Sequence, residues 1–282
     1  MVINANNYKF DCRVSGNIKD ELVILLHGFP ETSYMYKDLI KDISDSGYYC
    51  IAPNLRGYSE GARPQGRDNY TLDKLVNDVL EMINHTGKEK LHLIGHDWGA
   101  VIGWQIAHDY PNKLLSWTAL SVPHTNSFFN AILNDKEQKK KSYYMWLFQI
   151  PILPEFCLKF MNLKILRGLW SYHSKQEIND YTQTLKQKGA LTAALNYYRA
   201  NFKLKRLAKK GQILGDIHVP TLFIWGKHDT SVGSSAAKNS SAYIKADYQF
   251  LELKTDHWII QKKYNEAKNS ILEHLNSNKV SN

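Results

Sequence analysis

Residues Gly95-His96-Asp97-Trp98-Gly99 put a carboxylate between two glycines, where an apolar β-type run (KLHLI, 90–94) meets a helical pattern (AVIGWQIAHDYP). A strand, a tight turn and a helix in that order form a nucleophile elbow, whose glycines admit a strained turn that lifts the middle side chain above the sheet. The turn sits at a helix N-terminus, which favours an anion. Most such elbows carry serine in the middle; here the residue is Asp97. As a helix cap, Asp97 would only hold backbone N–H groups. As a nucleophile, it would attack an electrophilic carbon and become an alkyl ester that a second step must hydrolyse.

Hydrolysis needs a base and a group to orient it. The run TLFIWG ends in Lys227-His228-Asp229, and QFLELK ends in Thr255-Asp256-His257-Trp258. The chain order nucleophile, acid, histidine selects Asp97, Asp229 and His257, with His257 activating water and Asp229 orienting it. Asp256 is a competing carboxylate, expected to raise the proton affinity of His257. Side chains of adjacent residues usually diverge, which favours Asp229. The segment HGFP (27–30) follows an early strand. Its Phe29 amide, with that of Trp98, is expected to point at one spot beside Asp97 and form an oxyanion hole. His27 and His96 flank glycine turns and read as structural.

These residues need a scaffold that brings strand ends together. ELVILLHGFP, YYCIAPNLRGYS, KLHLIG, LLSWTALSVP, VPTLFIWGKHD and YQFLELKTDHW read as strands. YMYKDLIKDISDSG, YTLDKLVNDVLEMINHTG, GAVIGWQIAHDYP and NEAKNSILEHLNS read as helices. The alternation predicts a doubly wound, mostly parallel sheet. It stops between about Pro123 and Gly215, where the sequence is helical, aromatic and lysine-rich. That stretch reads as a lid over the C-terminal edge of the sheet, where open α/β sheets place their sites. The division is a core of residues 1–122 and 216–282 and a helical cap of residues 123–215. Trp146, Phe148, Trp170 and Phe202 in the lid suggest an apolar pocket.

The chain has 282 residues, 43% of them apolar, enough for one large domain with an insertion. No apolar run reaches the ~18 residues of a membrane span. The opening MVINANNYKFDC lacks the order of a signal peptide. Cys12, Cys50 and Cys157 are scattered and form no metal or disulfide spacing. A cytoplasmic location is expected. The net charge of +9 gathers in KEQKKK (136–141), KLKRLAKK (203–210) and QKKY (261–264). No nucleic-acid module accompanies these lysines, which read as solvated helix faces.

HGFPE (27–31), APNLRGYS (52–59), GHDWGA (95–100), WGKHD (225–229) and DHW (256–258) together resemble the successive core motifs of the α/β-hydrolase superfamily, and within it of the epoxide hydrolases. The resemblance runs over nearly the whole chain. In the lid, SYYMWLFQIP (142–151) and ALNYYRAN (194–201) resemble the segments that carry two tyrosines, here Tyr144 and Tyr198. The resemblance implies an α/β-hydrolase fold and attack by Asp97 on an oxirane carbon. It implies proton delivery to the ring oxygen by Tyr144 and Tyr198, then ester hydrolysis to a 1,2-diol. Substrate and water are the implied partners, with no metal or organic cofactor. Asn54, Ser59-Glu60 and Asp256 depart from the family pattern, and the usual Glu-x-Pro after the histidine is absent. Asp97-Trp98 also resembles haloalkane dehalogenases, but Phe29 offers no side-chain donor to a halide; the lid resembles that of the fluoroacetate (haloacid) dehalogenases, but the arginines they carry at the positions of Trp98 and Val101 are absent. A non-catalytic receptor on this fold would not need the complete set Asp97, Asp229 and His257.

Overall fold

Continuous apolar runs, rather than alternating ones, mark strands that helices bury on both faces. A computed structural model describes residues 1–202 and 214–280, the side chain of Met161 excepted. Its strands are β1 (Val2–Ala5), β2 (Tyr8–Ser15), β3 (Glu21–Leu26), β4 (Tyr48–Pro53), β5 (Leu91–His96), β6 (Leu114–Leu120), β7 (Thr221–Gly226) and β8 (Tyr248–Leu253). They form one sheet in the order β1-β2-β4-β3-β5-β6-β7-β8. From β4 to β8 every neighbouring pair is parallel. In β4, β5 and β7 every residue is buried.

At one edge, β1 and β2 are antiparallel, as are β2 and β4. The sequence reading did not include this hairpin. Its two-residue turn, Asn6-Asn7, has positive φ at both positions, the geometry that suits the right-handed twist of a hairpin. Helices α1 (Lys37–Asp45), α2 (Leu72–Thr86) and α3 (Trp98–Asp109) follow β3, β4 and β5 or their loops. The Trp104 ring of α3 meets Trp117 of β6 edge to face at 5.5 Å, tying α3 to the sheet.

Between β6 and β7 lie α4 (Thr125–Asn134), α5 (Lys136–Lys141), α6 (Tyr143–Leu147), α7 (Leu153–Leu169), α8 (Lys175–Lys186) and α9 (Ala190–Asn201). A capping box starts α8: the Ser174 hydroxyl accepts from the Glu177 amide, and the Glu177 carboxylate accepts from the Ser174 amide. The domain limits at 122/123 and 215/216 bracket this helical stretch and are carried as proposed limits. Residues 203–210, read from the sequence as a solvated basic face, lie outside the described residues. Among the described residues, no helix is long and apolar enough to cross a membrane.

Candidate active site

The sheet order changes direction at β3, which sends one connection to β4 on one side and pairs with β5 on the other. A crevice opens beyond the C-terminal ends of two such strands. Leu26 pairs with Gly95 in this register, so the loops after β3 and β5 start side by side. One carries Phe29 and the other Asp97. On the other side of β5 and β6, β7 pairs with β8 through Gly226 and Leu253, and the loops beyond them carry Asp229 and His257.

Asp97 has φ 51° and ψ −116°, a strained conformation held at the elbow between β5 and α3. The flanking turn is so close that a Cβ on Gly99 would lie 2.0 Å from the Leu26 carbonyl oxygen. Gly28 is as restricted. A Cβ there would lie 2.3 Å from Asp97 Oδ1 and 2.7 Å from the Trp98 nitrogen. The HGFP backbone therefore lies against the Asp97–Trp98 peptide. The Phe29 amide donates to Asp97 Oδ1 at 2.7 Å.

His257 donates from Nδ1 to Asp229 Oδ2 at 2.7 Å. Its Nε2 lies 3.5 Å from Asp97 Oδ2. The other Asp229 oxygen accepts from the amides of Ser231 at 2.7 Å and Val232 at 2.9 Å. The carbonyl of His257 accepts from His96 Nε2 at 3.0 Å and from Ser121 Oγ at 2.7 Å, which fixes the loop. Asp256 is turned elsewhere: it accepts from Lys262 Nζ at 2.5 Å and from the Trp258 amide at 3.2 Å. The expectation that Asp256 raises the proton affinity of His257 gives way to Asp229 and Asp97, which dominate it.

Burial opposes the charge on His257, but the charge and hydrogen bond of Asp229, then those of Asp97, outweigh it and raise its pKa well above the usual histidine value. Burial likewise opposes the Asp97 carboxylate. His257, His96 and the Phe29 amide overcome it and hold its pKa below the ordinary aspartate value. His257 thus lies between two carboxylates, both of which favour its protonated form. Tyr198 is almost fully buried. Burial, then the Asp97 charge, push the Tyr144 and Tyr198 hydroxyls up in pKa, so both stay protonated through the neutral range. Their rings stand 6.0 Å apart. Both line the two cavities that meet at Asp97 and His257.

One arm, with empty space of about 910 Å³, runs past Trp98, Val101, Phe128 and Phe202. The other, about 1500 Å³, runs past Phe29, Phe148, Leu158 and Leu166. Of the four aromatics expected to line an apolar pocket, Phe148 and Phe202 do so. Trp170 is buried away from both arms, and Trp146 is more than half exposed. The basic stretches also divide. Lys141 turns inward and donates to the Asp229 carbonyl at 2.7 Å, and Lys262 binds Asp256, so neither simply covers a solvated face.

The sequence reading missed a buried carboxylate behind the histidine. Glu31 is fully buried. It accepts from His173 Nε2 at 2.8 Å and from Gln261 Nε2 at 3.0 Å, and its second oxygen lies 3.2 Å from His96 Nδ1. Burial acts against its charge, but His173 and His96 prevail and lower its carboxyl to about 2. His96, read as structural, therefore joins Glu31 to the His257 loop, its ring 4.8 Å from that of His257. The one sequence signal was Glu31 closing HGFPE, and no local pattern joins it to His173, which lies 142 residues away.

A strained acidic elbow on a mostly parallel sheet, with a histidine on the last strand's loop, defines a class. The sequence model of the alpha/beta hydrolase fold family matches residues 21–264, and the chain belongs to that family. Several of its relatives within the family are epoxide hydrolases. It is 33% identical to human epoxide hydrolase 4 over 271 residues, covering 92% of this chain and 73% of that protein. It is also 33% identical to the AB hydrolase superfamily protein YfhM of Bacillus subtilis (strain 168), covering 97% and 96%. Among solved structures, the epoxide hydrolase of Bacillus megaterium in complex with an inhibitor superimposes with a TM-score of 0.90 at 27% identity, covering 98% of this chain and 100% of that one.

Proposed function

We propose that this protein is an epoxide hydrolase that opens an oxirane to a 1,2-diol through an ester on Asp97. The observation that carries the reading is the division of labour between the two Asp97 oxygens. Oδ1 is held by the Phe29 amide, and Oδ2 is left facing His257 and the cavity. Oδ2 attacks one oxirane carbon and the C–O bond breaks. Tyr144 and Tyr198 hydrogen-bond the ring oxygen, and one of them supplies its proton. The product is a neutral ester whose carbonyl oxygen, Oδ1, accepts from the Phe29 amide, with the Trp98 amide as the second donor of the proposed oxyanion hole.

Esterification also switches the base. A neutral Asp97 no longer raises the proton affinity of His257, which then passes its proton to the tyrosinate left by ring opening. Neutral His257, oriented by Asp229, takes a proton from water as that water attacks the ester carbonyl. The tetrahedral intermediate collapses, the second proton of the attacking water passes to the leaving alkoxide, the diol leaves, and Asp97 is a carboxylate again. With mostly apolar walls on both sides of Asp97, the substrate is an apolar epoxide with room for substituents on either carbon. Water is the second substrate, and the cytoplasm is the proposed place of action.

The test is a trapped intermediate. His257→Gln should be alkylated by an epoxide that the wild type hydrolyses, and should not turn over. Intact mass should rise by the mass of the epoxide, with the adduct on Asp97. An unmodified His257→Gln protein would sink the covalent mechanism.

A further inference from the structure

The lid turns a run of large apolar side chains to solvent. Trp146 is 53% exposed, Ile152 78%, Phe156 68% and Phe160 60%. In α7, Leu153, Phe156, Cys157 and Phe160 recur at i, i+3, i+4 and i+7, one outward face of a helix whose Pro154, Leu158 and Leu166 are buried. Single exposed apolar residues need no explanation, but a contiguous run marks an interaction site. This run is also continuous with the active site. The exposed Leu147, Ile150, Leu153 and Cys157 line the cavity arm that ends at Asp97, so that arm has its mouth in the patch.

Along α7 the exposed charges of the patch are basic. Between residues 143 and 172 the only acidic residue is Glu155. It is held by Arg199 at 2.6 and 2.9 Å. Lys159, Lys164 and Arg167 are exposed, and Lys164 and Arg167 extend the apolar face of α7 toward its C-terminus. Lys136, Lys139 and Lys140 of α5, just upstream, are exposed as well, and the one carboxylate among them, Glu137, pairs with Lys141 at 2.9 Å. A second copy docked face to face would oppose cation to cation. An apolar face bordered by lysines instead matches the headgroup boundary of an anionic lipid surface.

We propose that this lid face docks on anionic bilayers, and that the cavity mouth takes apolar epoxides directly from the lipid. The second half rests on the epoxide-hydrolase reading; the docking does not. The test is co-sedimentation of the purified chain, without epoxide, with phosphatidylcholine vesicles and with vesicles that also contain phosphatidylserine. The chain should bind the anionic vesicles, bind neutral ones weakly, and release with salt. Lys164→Glu combined with Arg167→Glu should weaken anionic binding by roughly 25-fold, from about 1 kcal/mol for each cation removed. Phe156→Ser combined with Phe160→Ser should weaken it by about tenfold or more. None of these four side chains lines either cavity arm, so both variants should keep wild-type kcat/KM on a water-soluble epoxide. Absence of vesicle binding, equal binding to neutral vesicles, or binding untouched by both double variants would overturn docking. So would a concentration-dependent dimer in analytical ultracentrifugation that Phe156→Ser with Phe160→Ser dissolves, since it would assign the face to a second copy. A chain that binds vesicles but hydrolyses no epoxide would leave docking standing and sink the reaction instead.

Discussion

Asp229→Asn is isosteric, and the structure dictates how it fails. One oxygen of Asp229 accepts from two backbone amides, Ser231 and Val232. The asparagine must keep its carbonyl oxygen there, because turning its NH2 toward two N–H donors leaves about two hydrogen bonds unmade. Its NH2 then faces His257 Nδ1, which now must accept, and the ring proton moves to Nε2. That nitrogen faces the attacking water as a donor instead of a base. Restoring the working tautomer means flipping the amide, at about 1–3 kcal/mol for each of two lost bonds. The total, about 2–6 kcal/mol, corresponds to a slowing of roughly 30-fold to ten-thousand-fold, comparable to the loss when such an acid is amidated in a serine triad. Only hydrolysis should pay it. Alkylation by Asp97 needs no base, and the Phe29 amide still holds Oδ1. Single-turnover quenched flow with mass detection should therefore show a burst of alkyl-enzyme that decays slowly. Hydrolysis within a factor of ten of wild type would refute the reasoning, as would a larger loss in Asp256→Asn, whose carboxylate binds Lys262.

The other expectations are read in the same assays. Tyr198→Phe should slow alkylation by about tenfold or more, the scale of general-acid assistance, and leave ester hydrolysis nearly unchanged. Halide release from bromoalkanes, unaffected by Tyr198→Phe, would instead favour dehalogenation. The pH profile should split between the steps. Asp97, held below the ordinary aspartate pKa, should alkylate well into the acid range, whereas hydrolysis needs neutral His257. Ester should therefore accumulate as pH falls, and a pH-independent ratio of the two rates would contradict the base role. Away from the site, Arg56 donates to both oxygens of buried Asp78 at 2.6 and 2.5 Å. Arg56→Leu leaves that carboxylate without its cation and should cost about 3–5 kcal/mol in chemical denaturation. A loss below 1 kcal/mol would mean that Asp78 finds another partner.

What the sequence determined by itself is local. Asp97 between Gly95 and Gly99 is legible because the turn is made within five residues, and only glycines fit where Gly99 packs on the Leu26 carbonyl. The strands β3 to β7 are legible because burial on both faces forces an apolar run. The hairpin of β1 and β2 was missed although its cues are local: short alternating runs and Asn6-Asn7 at the turn. Where side chains meet across the fold, sequence left choices open. Asp256 adjoins His257 in sequence and competes with Asp229, which chain order favours. Pairing of β7 with β8 brings Asp229 to Nδ1 at 2.7 Å, while the chain's direction after β8 turns Asp256 to Lys262. The Glu31 cluster draws on a core loop, the end of β5 and a turn in the lid, and the cavity mouth in an exposed lid face depends on how α6 and α7 pack. Hydrophobic period and turn chemistry act between residues near in sequence and can be read there. Contacts between distant segments are settled by strand register and packing, so only the tertiary structure decides which carboxylate serves the histidine and which apolar faces are left outside.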